Sequence, residues 1–469
     1  MPSKLRKLVG SRAFYAMVLA VVIPIIVQNA ITNFVNLLDN LMVGRIGTDQ
    51  FSGVAVANQL IYVFNLAVFG AVSGAGIFTA QYCGAGNQEG VRASCRYKLY
   101  AGLLLSVGAI ALFLLKGREL VLLYLTDDSD PARVADTLHY GLQYLNLMLL
   151  GLPPFAIAQS YASTLRETGE TRLPMLAGII AVFVNLIFNF LLIYGKLGFP
   201  QLGVQGAAIA TVLSRYVELG IILVYTHSHA RKHPFAKGLF RTLSIPRHVV
   251  REITIKGMPL LVNELLWSLG MATLNQIYSL RGLDVVAATS ISTTVFNLFS
   301  VFFFSMGTAA AIIIGQDLGA DEVEVAKDHA WKLIAFSVAI SVVVGLTLIS
   351  CSHAIPLLYD VLPSVRSLAS RLILVCACMM PANAFCNCEY FIIRSGGKTG
   401  ITFLFDCGFT WVLCIPLAYC LTHFTAMSVV LIFLCERFLD VIKGVIGLVL
   451  VKKGVWIHNI VSGKDMQLS

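Results

Sequence analysis

Several acidic side chains stand inside stretches of this sequence that are otherwise apolar. Asp39, Glu264 and Asp406 each lie in such a stretch. In the middle of a lipid-embedded helix, an ionised side chain costs at least about 2.5 to 3.5 kcal/mol. A carboxylate kept there is by default a site for a proton or a cation, because neutralising it changes which conformation is most stable. We therefore expect these three acids to bind H⁺ or Na⁺, with the transported ion at Asp39.

Three more acids in apolar stretches are weaker candidates, because basic residues are near them in the sequence. The acids are Glu389, Glu436 and Asp440, and the bases are Arg394, Arg437 and Lys443. We expect Glu389 to lie within reach of the basic end near Arg394. The two acids of the last stretch are expected to form ion pairs on one helix face and to take no part in ion binding.

Polar side chains accompany Asp39 along one side of its segment. At helical spacing they form two neighbouring stripes, while the opposite side is aliphatic. The members are Gln28, Asn29, Thr32, Asn33, Asn36 and Asn40. Amides that hold helices together in membranes explain one or two such residues. A set of this size predicts a face toward water or a ligand.

Other polar and aromatic side chains in the apolar stretches suit a cavity for amphipathic organic molecules. They are Asn58, Tyr62 and Asn65 in the first half, and Asn275, Asn297 and Trp411 in the second. Helix packing alone would explain this set equally well. Asn185 and Asn189 are one turn apart in another stretch. Their amide oxygens are suited to a cation, and their amide groups to a neighbouring carboxylate.

The composition is that of a membrane protein. The chain of 469 residues is 57% hydrophobic and 13% charged, and its mean hydropathy is +0.80. Soluble domains are far more polar. The net charge of +9 does not indicate nucleic acid, because the basic residues lie in short loops and form no basic face.

Twelve segments are long enough, at about 20 residues each, to cross a hydrocarbon core of about 30 Å as helices. They span residues 13–38, 51–81, 92–115, 133–161, 173–195, 204–226, 253–280, 286–316, 327–350, 365–393, 401–422 and 427–450. We predict an all-α protein with an N-lobe at 1–226, a linker at 227–252, a C-lobe at 253–450 and a tail at 451–469. Loop charges place the linker and both termini in the cytoplasm.

The two halves of the chain repeat each other. A shift of 235 residues pairs Pro24 with Pro259 and Gln81 with Gln316. Six spans in each half give both halves the same orientation, so a pseudo-two-fold axis along the membrane normal should relate them. The paired prolines remove a backbone donor at equivalent positions, and we expect them to bend their helices.

Neither the cysteines nor the histidines predict a metal site. The eleven cysteines lie mostly inside apolar spans, without the spacing of zinc ligands, and we expect reduced thiols. His227, His229 and His233 lie close together, but no acid or cysteine accompanies them. A solvated basic linker explains these histidines better than a metal cluster does.

Six motifs resemble the multidrug and toxic compound extrusion (MATE) family in order and spacing over nearly the whole chain. They are DNLMVGRIG, GAGIFTAQYCGAG, RETGETRLP, NLIFNFLLIYG, LGVQGAAIATVLSR and MPLLVNELLW. The resemblance implies two six-helix lobes around a V-shaped cavity, and export of cationic or amphipathic compounds driven by entry of Na⁺ or H⁺.

The resemblance also implies roles for individual residues. Pro24 corresponds to the bending proline of the first helix and Asp39 to its coupling acid, which Asn185 and Thr211 would join around a cation. Glu264 is similar to the acid on helix seven in one branch of the family. Where another branch has a second N-lobe acid, this chain has Asn189, so its N-lobe pocket would have one charge fewer.

These expectations describe a secondary antiporter that works by alternating access, as a monomer in the inner membrane of a prokaryote, with no cofactor beyond H⁺ or Na⁺. A flippase or exporter for a lipid-linked precursor or a native metabolite is the alternative. A flippase for pyrophosphate head groups should have Arg or Lys in its cavity, and the sequence has almost none in mid-span. An enzyme is disfavoured, because no HExxH, Ser/Lys or paired-aspartate motif is present.

Overall fold

A computed structural model describes residues 8–125, 131–359 and 361–462, without the side chains of Asn36, Leu37, Asn40, Leu41 and Leu283. The described residues contain no strand and form twelve long helices. These are α1 Arg12–Gly44, α2 Thr48–Gly84, α3 Gln88–Leu122, α4 Pro131–Glu167, α5 Arg172–Tyr194, α6 Val204–Ser228, α7 Arg247–Ser279, α8 Leu283–Gly319, α9 Val323–Cys351, α10 Pro363–Ser395, α11 Thr399–Phe424 and α12 Val429–Lys452. The twelve-helix prediction is confirmed.

Ten of the twelve described helices are both long and apolar enough to span a membrane. The other two, α7 and α12, have 33 and 24 residues but carry more charge. Arg247, Arg251 and Glu252 begin α7, and Arg437 and Lys443 lie within α12. Their length still suffices for about 30 Å of hydrocarbon. Charge inside a spanning helix indicates interactions within the protein.

Local signals define where the helices end. The Asn87 side chain caps α3 by accepting from Gly90 N at 2.9 Å, and Ser428 caps α12 by accepting from Leu431 N at 3.4 Å. Gly195 ends α5 in the left-handed region, at φ +65°, where a glycine costs least. Pro24 and Pro259 lie inside α1 and α7, and their bending of the helices stays a prediction.

The chain forms two compact units. The first contains Met1–Ile26, Ala80–Gly86 and Ile255–Ser469, and the second contains Val27–Thr79 and Asn87–Thr254. Helix α1 is therefore shared between them, and the change occurs two residues after Pro24. Each unit has its own apolar core. Leu145, Leu152 and Ala208 are fully buried in the second unit, and Leu372, Met380 and Ala418 in the first.

Within the first unit, the C-terminal turns of α2 and α8 cross at two glycines. A Cβ on Gly84 would lie 1.9 Å from the carbonyl oxygen of Gln316, and one on Gly319 would lie 1.9 Å from that of Gln81. These four residues are pairs of the sequence repeat, since 316 − 81 and 319 − 84 both equal 235. The repeat thus places a glycine at each of these two close approaches of the backbones.

We expect Gly319→Ala to lower the thermal unfolding midpoint of the purified protein in detergent. The new methyl group would meet backbone atoms, which a rotamer change cannot move, so a loss of about 1 to 3 kcal/mol follows. Gly108→Ala is the control, because a Cβ there meets nothing within 4 Å. Equal midpoints for both variants would show that the crossing tolerates a side chain.

Candidate functional site

The N-lobe site is built by three helices of the second unit. Asp39 of α1 accepts a hydrogen bond from Asn189 Nδ2 of α5 at 2.7 Å. Asn185, one turn before Asn189, contacts both neighbouring side chains: its amide group lies 3.1 Å from Asn189 Nδ2 and 3.2 Å from Thr211 Oγ1 of α6. The structure therefore brings together the four residues for which the sequence suggested a shared cation site.

The hydrogen-bond network fixes the orientation of the Asn185 amide. With its Nδ2 toward Asp39, the amide donates to both Asp39 oxygens at 2.9 Å, and its Oδ1 accepts from Thr211 Oγ1 at 3.2 Å. The reverse orientation would bring acceptor against acceptor, so it is not the one adopted. Asn185 and Asn189 therefore both donate to Asp39.

Sequence reasoning missed two residues of this site. Tyr144 of α4 is buried and interacts with the side chains of Thr211, Asn58 and Arg215. Arg215 also donates to Gly151 O at 3.1 Å. The only signal available was the helical spacing on α4. That spacing shows which residues share a face of α4, but it does not show which neighbouring helix the face contacts.

The predicted cavity residues fall into two groups. Gln28 and Trp411 are engaged by the protein, since Gln28 Oε1 accepts from Arg166 at 3.5 Å and Trp411 Nε1 donates to Leu266 O at 3.0 Å. Others are half-buried or exposed on their helices. These are Thr32, Asn58, Tyr62, Asn65, Asn275 and Asn297. Asn36 lies outside the described side chains.

The acids of the C-lobe lie beside fixed cations within the first unit. Asp406 Oδ1 accepts from Lys443 Nζ of α12 at 2.7 Å, and its Oδ2 accepts from Asn263 Nδ2 at 3.0 Å. Asp406 lies in a π-helical turn of α11, an irregularity frequent at functional sites. Glu264 Oε1 is 3.9 Å from Arg394 Nη1, which is a charge contact too long for a hydrogen bond.

These C-lobe contacts correct one expectation. Arg394 does not pair with Glu389 but lies near Glu264. Glu389 is fully buried, and neither of its oxygens has a hydrogen-bond partner among the described residues. Its ionised form is therefore strongly disfavoured. Spacing along one helix suggested that Arg394 would pair with Glu389. The packing of α10 against its neighbours instead places Arg394 near Glu264.

Helix α12 also differs from the expectation. Glu436 pairs with Arg437 at 3.4 Å, as predicted. Lys443 instead reaches across to Asp406, while Asp440 Oδ2 accepts from Asn383 Nδ2 at 2.8 Å. Lys443 and Asp440 therefore bond to residues of other helices, 37 and 57 residues away in the chain, and not to their neighbours on the same face of α12.

The linker is more ordered than a solvated segment. Phe235 and Leu239 are buried at 1% and 0% exposure, and Arg96 Nε of α3 donates to Leu239 O at 2.7 Å. Burial lowers the pKa of His233, so this side chain does not add to the positive charge of the linker. Among the residues the structure describes, no group of histidine, cysteine and acidic side chains could hold a metal ion.

The fold and these sites define an all-helical, multi-pass membrane protein built from a duplicated six-helix unit. The sequence model of the MatE family matches residues 24–191 and 259–420, and the chain belongs to that family. The two matches begin 259 − 24 = 235 residues apart, which is the shift that pairs Pro24 with Pro259, so the predicted repeat is confirmed.

Curated relatives and a solved structure resemble the chain. It is 27% identical to the "Probable multidrug resistance protein NorM" of Thermotoga maritima over 318 residues, which are 66% of this chain and 64% of that protein. It is 25% identical to the "Probable multidrug resistance protein YoeA" of Bacillus subtilis over 87% of each chain. A MATE family transporter of the MOP superfamily, solved in an outward-facing conformation, superposes with a TM-score of 0.83 at 18% identity, over 97% of this chain and 98% of that one. At that identity the superposition shows the fold alone.

Proposed function

We propose that this protein is a secondary active transporter that exports cationic or amphipathic organic compounds in exchange for H⁺ or Na⁺. The observation that carries the proposal is the Asp39 site, in which the side-chain amides of Asn185 and Asn189 donate to an acid inside a spanning helix. Such an acid converts ion binding into a choice between conformations, because neutralising it changes which conformation is most stable. The multidrug resistance names of the relatives agree with the class of substrate.

We assign coupling to the N-lobe, where the cation that lies at the site, Arg215, donates to Gly151 O and not to the acid. No basic side chain forms an ion pair with Asp39 in the described part of the chain. In the C-lobe, Lys443 already occupies the position that a cation would take beside Asp406. Arg394 plays a similar part near Glu264. An ion entering from outside therefore gains most at Asp39.

Polar side chains that are exposed within spanning helices support a substrate pathway. Thr32 in α1, Tyr62 in α2 and Asn297 in α8 are exposed well inside their helices. Such side chains are expensive when they face lipid, and in membrane proteins they line water or ligand sites. A mixed set of hydroxyl, amide and aromatic groups suits amphipathic compounds, since it provides both hydrogen bonds and apolar surface.

Transport then follows an exchange cycle. With the pathway open to the outside, H⁺ or Na⁺ neutralises Asp39. The protein rearranges to face the cytoplasm, where the organic substrate binds as the ion leaves. Exchange requires the two ligands to prefer different states, because a ligand that binds both states equally drives nothing.

Export of a lipid-linked precursor is less well supported. Basic residues do lie in the spanning helices, and three of them lie beside acids. Lys98 pairs with Glu167, Lys443 with Asp406 and Arg394 lies near Glu264. A pyrophosphate head group needs cations that are free to pair with it, whereas these are already compensated. Cationic or neutral substrates fit better.

We infer that the protein works as a monomer in the cytoplasmic membrane of a prokaryote, with both termini in the cytoplasm. The bacterial relatives and the basic linker support this placement.

Vesicles that contain the purified protein test the proposal. They are loaded with a cationic dye, and dye movement is followed under an imposed Na⁺ gradient, an imposed pH gradient, or neither. The proposal predicts acceleration by one of the two gradients. Gradient-independent movement of a fluorescent lipid, without dye transport, would favour the flippase instead.

Asn189→Asp is expected to shift the pH midpoint of gradient-driven efflux upward, or to make efflux respond to lower Na⁺. The new carboxylate would lie about as close to Asp39 as the amide nitrogen does now, at 2.7 Å. Two carboxylates at that distance cannot both stay ionised, so the pair holds a proton or a cation more tightly. Asn189→Ala is the control, because it removes the amide without adding charge. Identical profiles for the two variants would place the coupling site elsewhere.

A further inference from the structure

A cavity lies under the linker in the second unit, apart from the Asp39 site. Its volume is 370 Å³, within the range of about 300 to 1,000 Å³ typical of ligand pockets. Side chains of α3, α4, α6 and the linker line it, among them Leu103, Ile157, Leu223 and Phe240. The walls are almost entirely apolar, so the ligand must be a hydrocarbon group.

The cavity wall continues into exposed apolar surface. Tyr100 and Leu103 of α3 are 42% and 37% exposed, and Phe240 and Leu243 of the linker are 56% and 65% exposed. Large apolar side chains exposed at the end of a spanning helix contact lipid, not water. A chain from the membrane can therefore enter the cavity without crossing water.

Hydrogen bonds fasten the linker over the cavity, and the part of the linker beside the cavity contains no acidic residue. Arg96 donates to Leu239 O at 2.7 Å and to Gly238 O at 3.3 Å, and Tyr100 OH donates to Leu243 O at 2.7 Å. From residue 234 to residue 251 the sequence has four basic and no acidic residues. Two of the basic residues, Lys237 and Arg241, are exposed next to the cavity-lining positions.

We propose that this cavity binds one acyl chain of an anionic phospholipid of the cytoplasmic leaflet, whose phosphate lies against Lys237 and Arg241. The apolar walls accept the chain, and the basic segment selects the charged head group. The lipid fills the space between α3, α6 and the linker and so holds the linker on its lobe. This site does not depend on the transport proposal, because no residue of the Asp39 site takes part.

Native mass spectrometry of the full-length protein in detergent, titrated with dipalmitoyl phosphatidylglycerol or dipalmitoyl phosphatidylcholine, tests the proposal. The wild type should retain one phosphatidylglycerol in preference to phosphatidylcholine. Leu223→Trp fills the cavity and should weaken that binding about tenfold or more. Leu104→Trp is the matched control. Leu104 directly follows the cavity-lining Leu103 on α3, but it is 74% exposed and does not line the cavity.

The head-group contact is tested separately. Replacing Lys237 and Arg241 by Gln together should remove the preference for phosphatidylglycerol over phosphatidylcholine. Arg118→Gln, an exposed basic residue near the other end of α3, should leave the preference intact. Equal binding of both lipids by the wild type, or unchanged binding by Leu223→Trp in a sample that elutes as a single folded species, would overturn the proposal.

Discussion

Asp39→Asn is expected to reduce gradient-driven dye efflux to the rate of protein-free vesicles. The Asn side chain keeps the size of Asp39 and can hydrogen-bond Asn185 and Asn189, but it cannot change its charge. The variant therefore stays in the neutralised state. Substrate binding should survive, because the cavity residues are untouched. Equilibrium binding of the dye to the purified variant in detergent measures that survival.

The matched variant is Glu264→Gln, which removes the acid on α7 in the same conservative way. Because Arg394 already lies 3.9 Å from Glu264, we expect gradient-driven efflux to persist at a reduced rate. Loss of gradient-driven efflux in Glu264→Gln, together with normal efflux in Asp39→Asn, would move coupling to the C-lobe.

Lys443→Met should strongly destabilise the protein. Lys443 and Asp406 are only 13% and 17% exposed, with Nζ 2.7 Å from Oδ1. Nζ also lies 5.2 Å from the ring centre of Phe405. Removing one partner of a buried pair leaves a charge without compensation, at a cost of about 3 to 5 kcal/mol. Chemical denaturation in detergent micelles would show this as a lower midpoint.

Two further variants separate charge from packing at Lys443. Lys327→Met breaks the exposed pair with Glu324, which has the same 2.7 Å separation, and it should cost no more than about 1 kcal/mol. The double variant Lys443→Met with Asp406→Asn should recover much of the loss, since no charge is left unpaired. A double variant as unstable as Lys443→Met alone would show that Lys443 acts through packing.

Local patterns predicted the helices well, because apolar length and loop charge are properties of single segments. The repeat also pairs Gly84 with Gly319, the two glycines at which α2 and α8 cross. The spacing of Asn185 and Asn189 predicted two amides suited to a cation or a carboxylate. The family resemblance supplied their grouping with Asp39 and Thr211, which no spacing could have given.

Contacts between helices were beyond the reach of the sequence. The spacing on α12 suggested that Lys443 and Asp440 would pair on one face, yet each found a partner on another helix. Nothing in the sequence around Tyr144 indicated that this side chain lies near Asn58 and Thr211. Such pairings depend on which faces of the helices meet, and burial then selects the partner that satisfies the most polar groups.

The most direct test counts the ions released when substrate binds. Purified protein is mixed with a cationic dye in weakly buffered detergent solution, with a pH electrode reporting H⁺ and radioactive sodium reporting Na⁺. Our account predicts that the wild type and Glu264→Gln release one of these ions on binding the dye, whereas Asp39→Asn binds the dye and releases neither. Undiminished ion release by Asp39→Asn would contradict the assignment of coupling to the Asp39 site.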